Sequence, residues 1–186
     1  MIVHVKVLRA LAICLVSVRL AAGADDVTIQ RISGNVVDGF YYVDARILIN
    51  LSADARGAVE SGVPLTFAYD FVIVHERRFL WDENVLLLRR TFNLVRHALA
   101  DSYIVTDTVA DSHVVSPSLD EALEVLGTLS RIAIGKTSDF GPARALVGRA
   151  RAQLDIESLP APLRPIAYVS PSWRLKSTWH AWELLR

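Results

Sequence analysis

The fold is decided by the stretch "VPLTFAYDFVIVHERRFLWDENVLLLRRTFNLVRHA", residues 63–98. In its first half the odd positions Leu65, Phe67, Tyr69, Phe71 and Ile73 are apolar or aromatic. Period-two alternation marks a half-buried strand. After "FLWDEN" the parity switches, and the even positions Leu86, Leu88, Phe92, Leu94 and Ala98 become apolar. A hairpin centred between Asp82 and Glu83 accounts for the switch, because it faces Phe71 with Leu94, Ile73 with Phe92 and Phe67 with Ala98. On the outer face it sets Glu76 against Arg89, an opposite-charge pair of the kind that stabilises a register.

The same register creates a chemical oddity. It turns polar side chains inward, with Tyr69 opposite Arg96 and His75 opposite Arg90. A buried arginine needs a partner, since an unpaired buried charge is strongly destabilising. Two readings follow. Either the pairs sit at the rim of the sheet with packed stems and hydrated guanidiniums, or Tyr69, His75, Arg90 and Arg96 line an anion-accepting pocket at one end of the fold. These four are the candidate ligand-binding residues.

Outward from the hairpin the alternation continues. Val43, Ala45, Ile47, Ile49 and Leu51 share one parity, and Asp44, Arg46 and Asn50 share the other. Ser52 is placed to cap a short helix carrying Ala55, Ala58 and Val59, and Gly62 stops it. "SYIVTDTV" reads as a strand, and "SLDEALEVLGTL" as a helix with Ser118 and Glu121 as a capping box and Leu119, Ala122, Leu123 and Leu126 as its stripe. "KTSDFGPAR" reads as a loop. "RARAQLDIE" alternates again through Ala150, Ala152, Leu154 and Ile156, and "SLPAPLRP" is a proline-punctuated crossing between strands. In "SWRLKSTWHAW", Trp173, Leu175 and Trp179 share one parity, which predicts a closing half-buried strand with aromatic anchors, ended or bent before Trp182. The whole predicts a mainly β protein, an antiparallel β-sandwich or open barrel of about seven strands with two short helices.

At 186 residues, 52% hydrophobic and 22% charged, the chain is long and apolar enough for one domain. The formal net charge is zero, but the first 24 residues hold Lys6, Arg9 and Arg19 and no acid, leaving 17 basic against 20 acidic residues in the remainder. A mildly acidic body argues against a sequence-independent grip on nucleic acid. Lys6 and Arg9, the apolar run Ala10–Val18 and the small residues Ala22-Gly23-Ala24 read as a secretory signal over residues 1–24. The run is shorter than the roughly twenty residues a membrane-spanning helix needs. The mature domain is then residues 25–186, and a periplasmic location is expected.

The single cysteine, Cys14, lies in that signal and follows Ile13, where a lipidation site wants a small residue. Disulfides, thiolate catalysis and cysteine zinc sites are therefore not expected in the mature chain. Gly135-Lys136-Thr137 has Ser130 where a phosphate-binding loop needs glycine, and Asp139-Phe140-Gly141 stands without the other kinase motifs. Asn50-Leu51-Ser52 fits a glycosylation sequon, but Ser52 is better used as a helix cap. His75, His97, His113 and His180 are not at ligand spacing. No catalytic constellation emerges, and neither a cofactor nor a metal is expected.

A short helix running into "SGVPLTFAYDF", the "RFLWDE" turn, "LDIESLPAPLRP" and the closing "SWRLKSTW" resemble, in that order, the exported proteobacterial proteins grouped as domain of unknown function 4390. The resemblance covers about Val27 to Trp182 and implies an envelope protein encoded near a two-component sensor kinase. It carries no catalytic residues. The leading expectation is a non-enzymatic module that binds another protein, the periplasmic part of a membrane sensor being the natural partner. The alternative is a carrier of a small anionic ligand or a lipid, with the inward arginines holding its headgroup. Oligomeric state is not legible.

Overall fold

A computed structural model describes residues 26–75, 83–140 and 146–184. The predicted export signal and the "RFLWDE" turn as far as Asp82 lie outside the described residues.

The decisive hairpin is formed by β3 (Leu65–His75) and β4 (Glu83–His97), antiparallel as expected. Its register differs from the expected one by six residues. Phe67 faces Phe92, Phe71 faces Leu88 and Ile73 faces Leu86, while Ala98 lies beyond the strand in the following turn. An even slip leaves every side chain on its expected face, so parity alone could not detect it. The charge pairs do change: Arg89 faces Asp70, Tyr69 faces Arg90, and His75 faces Glu83, which belongs to the strand and not to the turn.

On the far side of β3 runs β8 (Leu146–Leu154), and beyond it β9 (His180–Glu183). β4 continues into β5 (Ser102–Asp107) and β6 (Ser112–Ser116), completing a six-stranded sheet in the order β6-β5-β4-β3-β8-β9. The second sheet has three strands: β1 (Val27–Val37), β2 (Phe40–Ile49) and β7 (Thr128–Lys136), in the order β1-β2-β7. Together they make an antiparallel, sandwich-like fold. Among the described residues there are nine strands and three short α-helices, more than the alternation revealed. β1 and β2 are joined by Asp38-Gly39, both at positive φ (49° and 77°), as a tight two-residue hairpin requires.

The core lies between the sheets. Val43, Phe67, Tyr69, Phe71, Ile73 and Leu94 are all buried, each large apolar side chain contributing roughly 1.5–3 kcal/mol by leaving water. The two predicted helices close the fold as expected. In α1 (Ala53–Glu60) the Ser52 hydroxyl accepts from the Ala55 amide, and Gly62 ends the turn at φ 86°. In α2 (Leu119–Leu126) Ser118 accepts from the Glu121 amide, and Leu119, Ala122, Leu123 and Leu126 are buried. The "LPAPLRP" crossing holds a third helix, α3 (Arg164–Val169), entered through Pro165.

The closing segment corrects the sequence expectation. Trp173 sits in a 3-10 turn (Pro171–Trp173) and Leu175 is buried, but the final strand begins only at His180. Trp179 is 46% exposed, while Trp182 is the buried anchor of β9, packed and not free. Its indole N–H donates to the Tyr41 hydroxyl at 3.0 Å, and the ring lies flat over Gly148, where a Cβ would come within 2.2 Å of it. Parity failed here because an irregular segment separates Trp173 from the strand, and alternation has no meaning across a turn.

Candidate functional site

β3 is central in the larger sheet and is buried on both faces. On its outward side Ala68, Asp70, Val72 and Val74 are 1, 4, 8 and 2% exposed, although the outer face of an antiparallel sheet commonly meets water. The cover comes from long side chains of the two flanking strands. Asp70 is in register with Arg89 on β4 and with Arg151 on β8. Arg89 donates from Nε at 2.7 Å and from Nη2 at 3.2 Å, Arg151 from Nη2 at 3.1 Å, and Gln153 from Nε2 at 3.3 Å. Both carboxylate oxygens are thus engaged, which a buried acid requires.

The electrostatics follow from this geometry. Burial by itself would raise the Asp70 pKa, but the hydrogen bonds and charges of Arg89 and Arg151 outweigh it and hold the carboxyl below the usual range. The same bonds push the Arg89 guanidinium further from deprotonation. Two arginines share the Asp70 carboxylate, and Asp155 also lies within electrostatic reach of Arg89. Trp179 lies on the Arg151 guanidinium, 4.6 Å from ring centroid to Cζ, a cation–π contact that holds the arginine flat. A cleft of about 350 Å³ beside it is lined by Val72, Val74, Arg149 and Trp179, and Leu87 stands 69% exposed opposite Val72. The result is a pre-organised cationic and apolar surface on rigid strands.

The four residues singled out in the sequence do not form one site. Tyr69 is a core residue: its hydroxyl donates to the Leu126 carbonyl at 2.7 Å, its ring meets Phe92 edge-on, and burial raises its pKa so far that it stays neutral. Arg90 is ion-paired with Asp107, which also accepts the Val109 and Ala110 amides. Arg96 lies further along β4, donating to Asp101 at 2.7 Å and to the Glu60 carbonyl at 2.8 Å. His75 is at the opposite end of the hairpin, half-buried. Tyr69 and Arg90 are ladder neighbours, and His75 and Arg96 are far from each other along the strands. The expected pairs Tyr69–Arg96 and His75–Arg90 do not exist, because the register is six residues away from the expected one.

Sequence reasoning missed Asp70, Arg151, Gln153 and the exposure of Trp179. One signal was present: Asp70 is a lone acid in the apolar run "FAYDFVIV", and an acid there demands a cation on a neighbouring strand. Among the described residues no group of three or more His, Cys, Asp or Glu side chains is placed to hold a metal ion, and no helix is long and apolar enough to cross a membrane.

Fold and site together define a sandwich-like antiparallel β protein with a charged, aromatic outer face. Residues 24–183 match the family described as a domain of unknown function, DUF4390, and the chain belongs to that family. Neither a curated protein nor a solved structure matches it.

Proposed function

We propose that the protein is an exported envelope module that works by binding another protein, a membrane sensor with a periplasmic part being the partner class. The observation that carries the reading is the outer face of the six-stranded sheet. Arg89 (53% exposed side chain), Leu87 and Trp179 stand there in one neighbourhood, backed by the buried Asp70. Exposed aromatic and arginine groups on a rigid support are the usual anchors of a protein interface. The exposed Arg89 guanidinium beside Leu87 and Trp179 matches a partner segment that alternates acidic and apolar residues. The carrier alternative gains less support, since Arg90 and Arg96 are each ion-paired with an aspartate, although the Nε of each is buried without a partner among the described residues.

Crosslinking in intact cells tests this reading. A single membrane-protein partner should be captured, and Leu87→Asp or Trp179→Ala should abolish its capture without changing the protein's level. Capture that survives both substitutions would refute this face as the interface.

A further inference from the structure

The three-stranded sheet has an outer face of its own, built with unusual irregularity at one level. β1 bulges at Gln30, so that Arg31 becomes the direct partner of Arg46 on β2. Like charges directly opposed across a ladder are destabilising. Neither arginine makes an ion pair among the described residues. On the other side of β2, β7 bulges at Ser130-Arg131 opposite Asp44. Arg131 is held at φ 52°, a left-handed conformation that costs a side-chain-bearing residue about 1–2 kcal/mol. Its amide donates to the Asp44 carboxylate at 2.8 Å, and its guanidinium lies 5.4 Å over the Tyr42 ring. Asp44, the acid within this group, accepts this hydrogen bond through Oδ1 and also lines a cleft beside Arg46. Bulges re-aim side chains next to sites, and backbone strain gathers where function requires it.

Two clefts adjoin Arg46. The larger, about 480 Å³, also holds Arg56, Asp120 and Glu124, and Arg56 is already paired with Asp120, so it carries no surplus of positive charge. The other, about 320 Å³, is lined by both Arg31 and Arg46 together with Asp44, with Ser33 and Ser130 supplying hydroxyls, while the Thr128 hydroxyl at its edge already donates to the Glu124 carbonyl at 2.7 Å. We propose that this second cleft is a binding site for a phosphate group, with Arg31 and Arg46 as the paired guanidinium donors and the bulges as the device that brings them together. A tetrahedral oxyanion relieves the repulsion between the two arginines and accepts paired N–H bonds from each. The site is on the opposite sheet from the proposed protein-binding face and stands independently of it.

The test is a titration of the purified protein with inorganic phosphate, followed through the amide resonances of residues 30–31, 44–46 and 128–131. In parallel the protein is sedimented with phosphatidylglycerol or phosphatidylcholine vesicles. A saturable shift confined to those amides, weakened by about tenfold or more in Arg46→Gln and in Arg31→Gln, supports a site for free phosphate. Sedimentation with the phosphatidylglycerol vesicles alone, lost in both variants, supports a lipid headgroup as the source. Both variants should melt no lower than the parent, because each removes a like-charge opposition. Absence of both kinds of binding, or binding indifferent to either substitution, overturns the proposal.

Discussion

Asp70→Asn is the most direct test of how the larger sheet is held. The substitution keeps the shape and removes the charge from a side chain that is 6% exposed. The carboxylate accepts four bonds, two from Arg89 and one each from Arg151 and Gln153. Asparagine keeps one acceptor oxygen and turns its own N–H groups toward donors. A hydrogen bond to a charged group is worth about 1.5–3 kcal/mol, and an uncompensated buried cation costs more. Arg89 is half exposed and can turn to water, which discounts its share. The expected net loss is about 2 kcal/mol, or a melting temperature lower by about 4–8 °C for a domain of this size. Urea unfolding of both proteins at pH 7 measures it.

The sign of the pH dependence is also fixed. Asp70 titrates lower in the folded chain than in the unfolded one. Its stabilisation is therefore complete well above the ordinary carboxylate range and is lost as pH falls through the folded pKa. The gap between parent and Asp70→Asn should hold from neutral pH to about pH 5 and close progressively below about pH 4. A gap under about 0.5 kcal/mol at pH 7, of the size typical for an exposed pair, would refute the account of a buried, charge-assisted cluster.

Two further predictions concern the core. Tyr69→Phe removes the donor to the Leu126 carbonyl, tying β3 less firmly to the end of α2, and should cost about 1–3 kcal/mol in chemical denaturation. Gly148→Val drives a side chain into the Trp182 ring and should destabilise by about 1–3 kcal/mol or more, with the tryptophan emission shifting red as the ring is expelled. An unchanged emission and stability would mean that β9 is not held by that contact.

The sequence carried the strand class, the hairpin, the two helix caps and the inward parity of β3 and β4, because these depend on local periodicity and on side chains within a few residues of one another. It did not carry β1, whose alternation is broken by the bulge at Gln30, or the true position of the last strand, which follows an irregular turn. The candidate site was legible only as a demand. A lone acid at Asp70 within an apolar strand calls for a cation on a neighbouring strand, but which cation depends on register.

Alternation with period two determined on its own that this chain is a mainly β protein and which faces of β2, β3, β4 and β8 turn inward. Only the tertiary structure decided which residues meet. A slip of six residues leaves every hydrophobic side chain on its side and costs the pattern nothing, yet it replaces Glu76 by Asp70 as the partner of Arg89. It also brings Arg151, 81 positions away in the chain, to the same carboxylate. Hydrophobic burial selects a face, whereas hydrogen bonds, short-ranged and directional, and the ion pairs they hold select a register, and their partners come from strands far apart in sequence.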